Sequence, residues 1–331
     1  MKPLIKKLTD SYGPSGHEEQ IRDLIRAEIK GLADYVSIDA LGNLIAVFRK
    51  KAKSGKKIML AAHMDEIGLI VSHIDAKGFA RFLPVGGVST LTCIGSRARF
   101  ATGAVGVIGV EKRENTNTVP TFEQLFIDFG VTGAEDCPVK VGDAGGFYRP
   151  YEEVGDRLVA KSMDDRIGCA VLIEVMRGVK RSPHEVQFVF TVQEEVGLRG
   201  AGPSAFGLEP DLALAVDVTR TGDTPKGIKM AVSLGAGAAI KVRDSSFLAD
   251  PRLVALLEQR AAEAKLPFQR EVLEAGGVDA AAIQVSRIGV PSGCVSIPCR
   301  HIHTPSEMVD LRDVQGAVKL ILETLEKPIE I

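Results

Sequence analysis

The 331-residue sequence has no tryptophan and only 4 tyrosines. That is a poor inventory for stacking on sugar rings or nucleic-acid bases. Neither sign of charge dominates. Lys and Arg number 41 against 43 Asp and Glu, a formal net charge of -2, so no basic field argues for nucleic acid. No uninterrupted apolar run reaches the roughly 20 residues of a membrane span. The opening "MKPLIKKLTD" lacks the apolar core and cleavage site of a secretory signal. Cys93, Cys137, Cys169, Cys294 and Cys299 are scattered, odd in number and form no CxxC pair. This argues against a cysteine zinc site and for reduced, mostly buried thiols. The expectation is a cytoplasmic protein with no nucleic-acid partner and no membrane partner.

The sequence does hold a hydrophobic fraction of 45%, enough for one large core or one core with a smaller domain. "PLIKKLTDSYG" and "HEEQIRDLIRAEIKGL" carry apolar residues at helical spacing, separated by the turn "GPSG". "YVSIDALGNLIAVFRK" predicts a hairpin with Gly42 and Asn43 in its turn. "KKIMLAAHMDEIG" predicts a buried strand. From about residue 70 to 160, Gly- and Val-rich segments with short apolar runs replace the helical patterns, which predicts a small β-rich domain, a barrel in form. After Asp164 helix and strand alternate again: "DDRIGCAVLIEVMRGV", "EVQFVFTVQ", "DLALAVDV", "DPRLVALLEQRAAEAKL", "DAAAIQVSRIG", "PSGCVSIPCRHIH" and "DLRDVQGAVKLILETLE". Near-continuous apolar strands between helices imply an α/β fold with a sheet covered on both faces. The expected division is 1–69 and 161–331 for the two parts of one α/β domain, with 70–160 inserted between them.

Several of those strands end in the same chemistry. His63 and Asp65 follow one, Asp164 and Asp165 precede a helix, Glu194 and Glu195 close "FVFTVQEE", Asp217 sits in "AVDVT", and His301 and His303 close "IPCRHIH". Functional groups gather beyond the carboxyl ends of strands in open α/β sheets, so these residues can converge. Convergence raises an electrostatic problem, because a carboxylate taken out of water costs several kcal/mol unless paired, and no matching set of Lys or Arg stands at these strand ends. Three carboxylates (Asp164, Glu195 and Asp217) with two neutral histidines are neutralised by two divalent ions and a bridging hydroxide. Mixed nitrogen and carboxylate oxygen donors suit zinc, cobalt or manganese.

"AAHMDEIG", "KSMDDRIG", "QEEVGLRG", "AVDVT" and "RHIHTPSE", in this order, resemble the five motif regions of the dinuclear-metal aminopeptidases of the tetrahedral-shell type. That family includes glutamyl, leucyl and lysyl aminopeptidases, and some members are labelled endoglucanase. The resemblance extends to "GPSGHEE" and "GVPSGCVSIP" and covers almost the whole chain. It implies a zinc-peptidase-like mixed sheet flanked by helices and interrupted by a small β-barrel domain that supports dimerisation and assembly toward dodecamers. It implies an enzyme that removes N-terminal residues from short peptides, with two divalent ions per chain. His63 and Asp217 then resemble the terminal ligands of one ion, Glu195 and His303 those of the other, and Asp164 the bridging carboxylate. Asp65 resembles the acid that orients His63, and Glu194 the general base. The order of roles within the Glu194–Glu195 pair comes from the resemblance alone, since spacing permits the reverse.

This sequence departs from the family in places. His301 stands where Tyr is frequent and Thr304 where Ser is, and Val278 replaces a Thr before Asp279, which weakens a substrate role for Asp279. On a strand, His301 and His303 share a face, so His301 is expected to line the cleft or compete as a ligand. The ordinary readings are an N-cap for Asp165, a helix start after the "GPSG" turn for His17, whose turn the resemblance also places close to the cleft, and surface or boundary positions for His73 and His184. A deacylase using the same metal site is the alternative enzyme. A glucanase would need two acids and no metal, which the histidines do not serve.

Overall fold

In the computed structural model, residues 1–48, 55–115 and 117–331 are described. The core is an 11-stranded mixed sheet. Its centre is four parallel strands in the order Glu185–Thr191, Lys57–His63, Leu212–Thr219 and Ser292–Arg300. Each is apolar along nearly its whole length, so both faces must be covered. One face is packed by Lys2–Thr9, Glu19–Glu28, Met163–Gly178, Pro251–Glu263 and Leu311–Leu325, whose apolar stripes join the main core. Ala201–Leu208 and Asp279–Gln284 cover the other face through Ala201, Ala205 and Ile283. Local chemistry sets the helix starts. Asp250 accepts from the Arg252 amide at 2.8 Å ahead of Pro251, and Asp310 accepts from the Arg312 amide.

The hairpin forms as Tyr35–Ile38 paired with Leu44–Phe48. One Asp39 oxygen accepts from the amides of Leu41, Gly42 and Asn43, and Gly42 has φ +104°. Arg49 and Lys50, the expected end of that hairpin, lie outside the described residues.

A second body is a closed, antiparallel, six-stranded barrel, in the order Gly68–Ile74, Ala80–Val85, Leu125–Asp128, Val105–Val110, Arg97–Phe100 and Ala144–Phe147. Its own core holds Leu69, Phe82, Phe100, Ile108 and Ile127. The strands Glu152–Val154 and Arg157–Ala160, also within 70–160, pair with each other and join the main sheet through Glu307–Asp310. No helix among the described residues is long and apolar enough to cross a membrane. All five cysteines are free, and all but Cys137 are buried.

Two expectations fail. The strand expected to run to His303 ends at Arg300, and both His301 (φ +62°) and His303 (φ +63°) adopt left-handed turn backbone. The shared-face argument for His301 therefore does not hold. His301 is exposed and belongs to neither ligand group described below. A turn here is favoured because the Glu307 carboxylate accepts from the His303 amide at 2.8 Å. His184 is also not at the surface. It is buried, with Nδ1 accepting from the Lys56 amide at 3.1 Å and Nε2 3.0 Å from the Lys327 carbonyl.

Candidate metal centre and cleft

The parallel register brings the strand ends level. Thr191 lies opposite His63, and Asp217 opposite Ser296. The chemistry gathers just beyond them. His63, Asp164 and Asp217 form one group of metal-ligating side chains, and Asp164, Glu195 and His303 a second; within each group the ligand atoms lie within 4.8 Å of one another. The two groups share only Asp164, and its two oxygens face opposite ways. Oδ1 is 3.1 Å from His63 Nε2 and Oδ2 is 3.4 Å from His303 Nε2. Glu195 Oε2 is 3.1 Å from His303 Nε2.

Asp65 ties the surrounding backbone together. Its Oδ1 accepts from the Glu194 amide at 3.0 Å, and its Oδ2 accepts from the Glu195 amide at 3.2 Å and from the Ser15 hydroxyl at 2.6 Å. His63 Nδ1 lies 3.4 Å from Asp65 Oδ1 and 3.2 Å from the Asp65 carbonyl. Adjacent residues on a straight strand point to opposite faces. Here the strand stops at Thr191, and Gln193, Gly197 and Leu198 take positive φ. The resulting turn lets Glu194 and Glu195 both line the cleft.

Other supports were not legible in advance. Ser15, within the "GPSG" turn, touches the constellation through Asp65. Glu307 is buried and accepts from the Asp164 amide at 3.0 Å as well as from His303, so it positions residues of both ligand groups. Its one signal in the sequence is its place four residues after His303. Asp165 Oδ1 accepts from the Gly168 amide, the contact of an N-cap, and Oδ2 from the His63 amide. Asp279 is buried behind Thr191 and accepts its hydroxyl hydrogen bond. Gly87, on a loop leaving the barrel, lines the cleft where a Cβ would run into the His303 ring.

The electrostatics expose a deficit of positive charge. Burial pushes the Asp217, Glu194 and Glu195 carboxyls up, and neighbouring acids push them further. Burial pulls His63 down, but its contacts with Asp164 and Asp65 outweigh that and hold it well above the usual range. Asp164 is held below the ordinary carboxylate range despite burial, by His303 and His63. The nearby cations Lys161 and Arg166 are engaged elsewhere, with Glu66. Glu195 Oε1 is buried with no hydrogen-bond partner. Surplus buried acids, an orphaned carboxylate oxygen and the two imidazoles form a donor set that fits divalent cations.

Glu18 stitches the "GPSG" turn to the Glu194 turn. Its Oε1 accepts from the Gly16 amide at 2.7 Å and the Gln193 amide at 3.1 Å. Burial nevertheless pushes its carboxyl from its ordinary 4.5 up to about 7. Between those values the folded protein holds a proton that the unfolded chain has released. Stability therefore falls as pH rises through that window. Glu18→Gln keeps the acceptor oxygen and removes the ionisation. It is expected to be more stable than the parent at pH 8, by about 3 kcal/mol and with a higher melting temperature, and to melt at the same temperature as the parent at pH 4. Equal melting shifts at the two pH values would contradict this.

The cleft is about 380 Å³ and is lined by Asp164, Glu194, Glu195, Asp217 and His303 together with apolar residues such as Leu198 and Ile302. A mixed sheet whose parallel strands deliver two ligand groups joined by one carboxylate belongs to the class of α/β metal-dependent hydrolases. The family is more particular. The M42 glutamyl aminopeptidase family model matches residues 42–320, and the chain belongs to that family. It is 35% identical to the lysyl aminopeptidase of Pyrococcus furiosus over 339 residues, covering 98% of this chain and 96% of that one. Its fold matches an aminopeptidase of the archaeon Desulfurococcus kamchatkensis with a TM-score of 0.94, 40% identity, and coverage of 98% and 94%. It matches the Pyrococcus horikoshii TET1 peptidase, which can assemble into a tetrahedron or a large octahedral shell, with a TM-score of 0.88, 32% identity, and coverage of 98% and 99%. The chain is an aminopeptidase, a hydrolase of peptide bonds in a family of metallo-enzymes, and it carries a possible metal-binding group.

Proposed function

We propose that this aminopeptidase releases N-terminal residues from short peptides with two divalent ions and a glutamate base. The observation that carries the reading is Asp164, whose two oxygens each face a different ligand group. In this reading His63, Asp164 and Asp217 hold one ion, and Asp164, Glu195 and His303 hold the other. The donors suit zinc or cobalt, and manganese also. When bound, such a pair supplies Lewis acidity toward a peptide carbonyl and acidifies a water molecule.

The chain's own residues supply the rest. Asp65 stays off the ions and fixes the His63 ring and the Glu194 turn. Glu194 belongs to neither ligand group, yet its Oε2 is 3.9 Å from His63 Nε2, at the edge of the first. It is the group placed to take a proton at a carboxylate oxygen and return it to the leaving amine. Gly87 brings the barrel against the cleft, so the inserted body forms one wall. Self-association through that body, to a dimer and on to a closed shell, is part of the same reading.

The test is a panel of aminoacyl-anilides assayed on chelated protein refilled with zinc, cobalt or manganese. Release is expected to vanish on chelation and return with at least one metal. Undiminished release after complete chelation sinks the metal reading, and hydrolysis of N-acyl amino acids but no anilide favours the deacylase. Light scattering on the same preparation reads the assembly, and a monomer mass removes the shell.

A further inference from the structure

A second cluster of buried charge stands beside the ligand groups. Glu66 directly follows Asp65, Lys161 and Ser162 come just before Asp164, and Arg166 comes just after Asp165. Glu66, Lys161 and Arg166 are 2%, 3% and 0% exposed, and none of them lines the cleft. The mechanism proposed above gives them no part.

Both oxygens of Glu66 are engaged. Oε2 accepts from Lys161 Nζ at 2.6 Å and from the Ser162 hydroxyl. Oε1 accepts from the Gly13 amide at 3.0 Å and lies 3.5 Å from Arg166 Nη2. The cations reach further. Lys161 Nζ donates to the Ser11 carbonyl at 3.0 Å, and Arg166 donates to the Met64 carbonyl at 2.6 Å and to the Leu8 carbonyl at 2.8 Å. Three stretches far apart in the chain, 8–13, 64–66 and 161–166, are thereby tied to one carboxylate. Each of them adjoins the site: the first leads to Ser15, the second follows His63, and the third contains Asp164.

A buried ion cluster is a weak source of stability, because apolar residues of similar volume often serve as well. What this one supplies is geometry. Ser162 has left-handed backbone, φ +56° and ψ +29°, which a residue with a Cβ keeps only where its surroundings impose it. The hydroxyl contact with Glu66 is made at that turn, two residues before Asp164.

Resting on the two-ion reading, we propose that Glu66 is a positioning residue for the metal centre, acting through Ser162 and Lys161 to hold Asp164 between the two ligand groups. Glu66 belongs to neither group. Groups that orient ligands in this way typically change metal affinity by about 10- to 100-fold. Asp164 is common to both groups, so the effect falls on both ions.

Zinc affinity of the full-length chain is measured by competition with a chromophoric chelator, and repeated with cobalt, beside thermal melting of the metal-free protein. Ser162→Ala removes one hydrogen bond and leaves the ion cluster whole. It is expected to weaken both ions by about tenfold, and Glu66→Gln, which leaves two buried cations facing a neutral amide, by up to about 100-fold. Lys161→Arg keeps the charge, and a cavity of about 130 Å³ that Lys161 lines gives it room, so its affinities should stay close to the wild type. Wild-type affinities in Ser162→Ala and Glu66→Gln, with only a lower melting temperature, would make the cluster a structural clamp and overturn the proposal. Weakening confined to one ion overturns it as well. If Glu66→Gln fails to fold, Ser162→Ala decides alone. A wild type that binds neither metal overturns the two-ion reading, and the positioning role with it.

Discussion

Glu194→Gln is expected to lower kcat on an aminoacyl-anilide by about 10²- to 10⁴-fold while metal content stays at the wild-type level. The amide has the shape of the carboxylate but cannot take up a proton. Glu194 lies outside both ligand groups, so the ions have no reason to leave. Its turn is held by a backbone contact, the Glu194 amide to Asp65 Oδ1, which the substitution leaves in place. The substitution also removes one of the acids that repel each other around Asp217, so the fold should not suffer. The measurement is kcat together with elemental analysis of the same sample. A near-normal rate would return the base role to Glu195 or to another group. A variant that has lost its metal would place Glu194 among the ligands.

The second large effect is expected at Asp164. It is the one residue common to both groups, with Oδ1 toward His63 and Oδ2 toward His303. Asparagine offers one acceptor oxygen, and its amide nitrogen cannot serve as a ligand in place of the other. Asp164→Asn should therefore lose both ions on dialysis and leave only background turnover. Asp217→Asn, which touches one group alone, should lose about one ion of two. Elemental analysis of the two variants side by side makes the comparison, with circular dichroism to confirm the fold. Two ions retained by Asp164→Asn would show that the bridge is misassigned.

The residues of the two groups were legible in the sequence because they stand after apolar strands, where open α/β sheets gather their chemistry. "FVFT" before Glu194 and Glu195 and "LALAV" before Asp217 are apolar runs that the structure places in buried strands. The barrel was legible for a similar reason, since its Gly- and Val-rich stretch lacks helical periodicity. His301 misled because a strand period was extended two residues too far. The turn that ends the strand is set by Glu307, whose contact with the His303 amide no local pattern announces. His184 misled because its partners, Lys56 and Lys327, lie 128 and 143 residues away in sequence.

What the sequence by itself determined is the inventory: an α/β chain with a β-rich stretch in its middle, and a surplus of carboxylates, with histidines, at the strand ends. Those follow from periodicity and from the cost of buried charge, which are properties of short segments. What only the tertiary structure decided is the division of labour. That Asp164 faces both groups and that Asp65 bonds both amides of the glutamate turn depend on the parallel register of four strands. Register is a relation between segments far apart in the chain, and no single stretch of sequence encodes it.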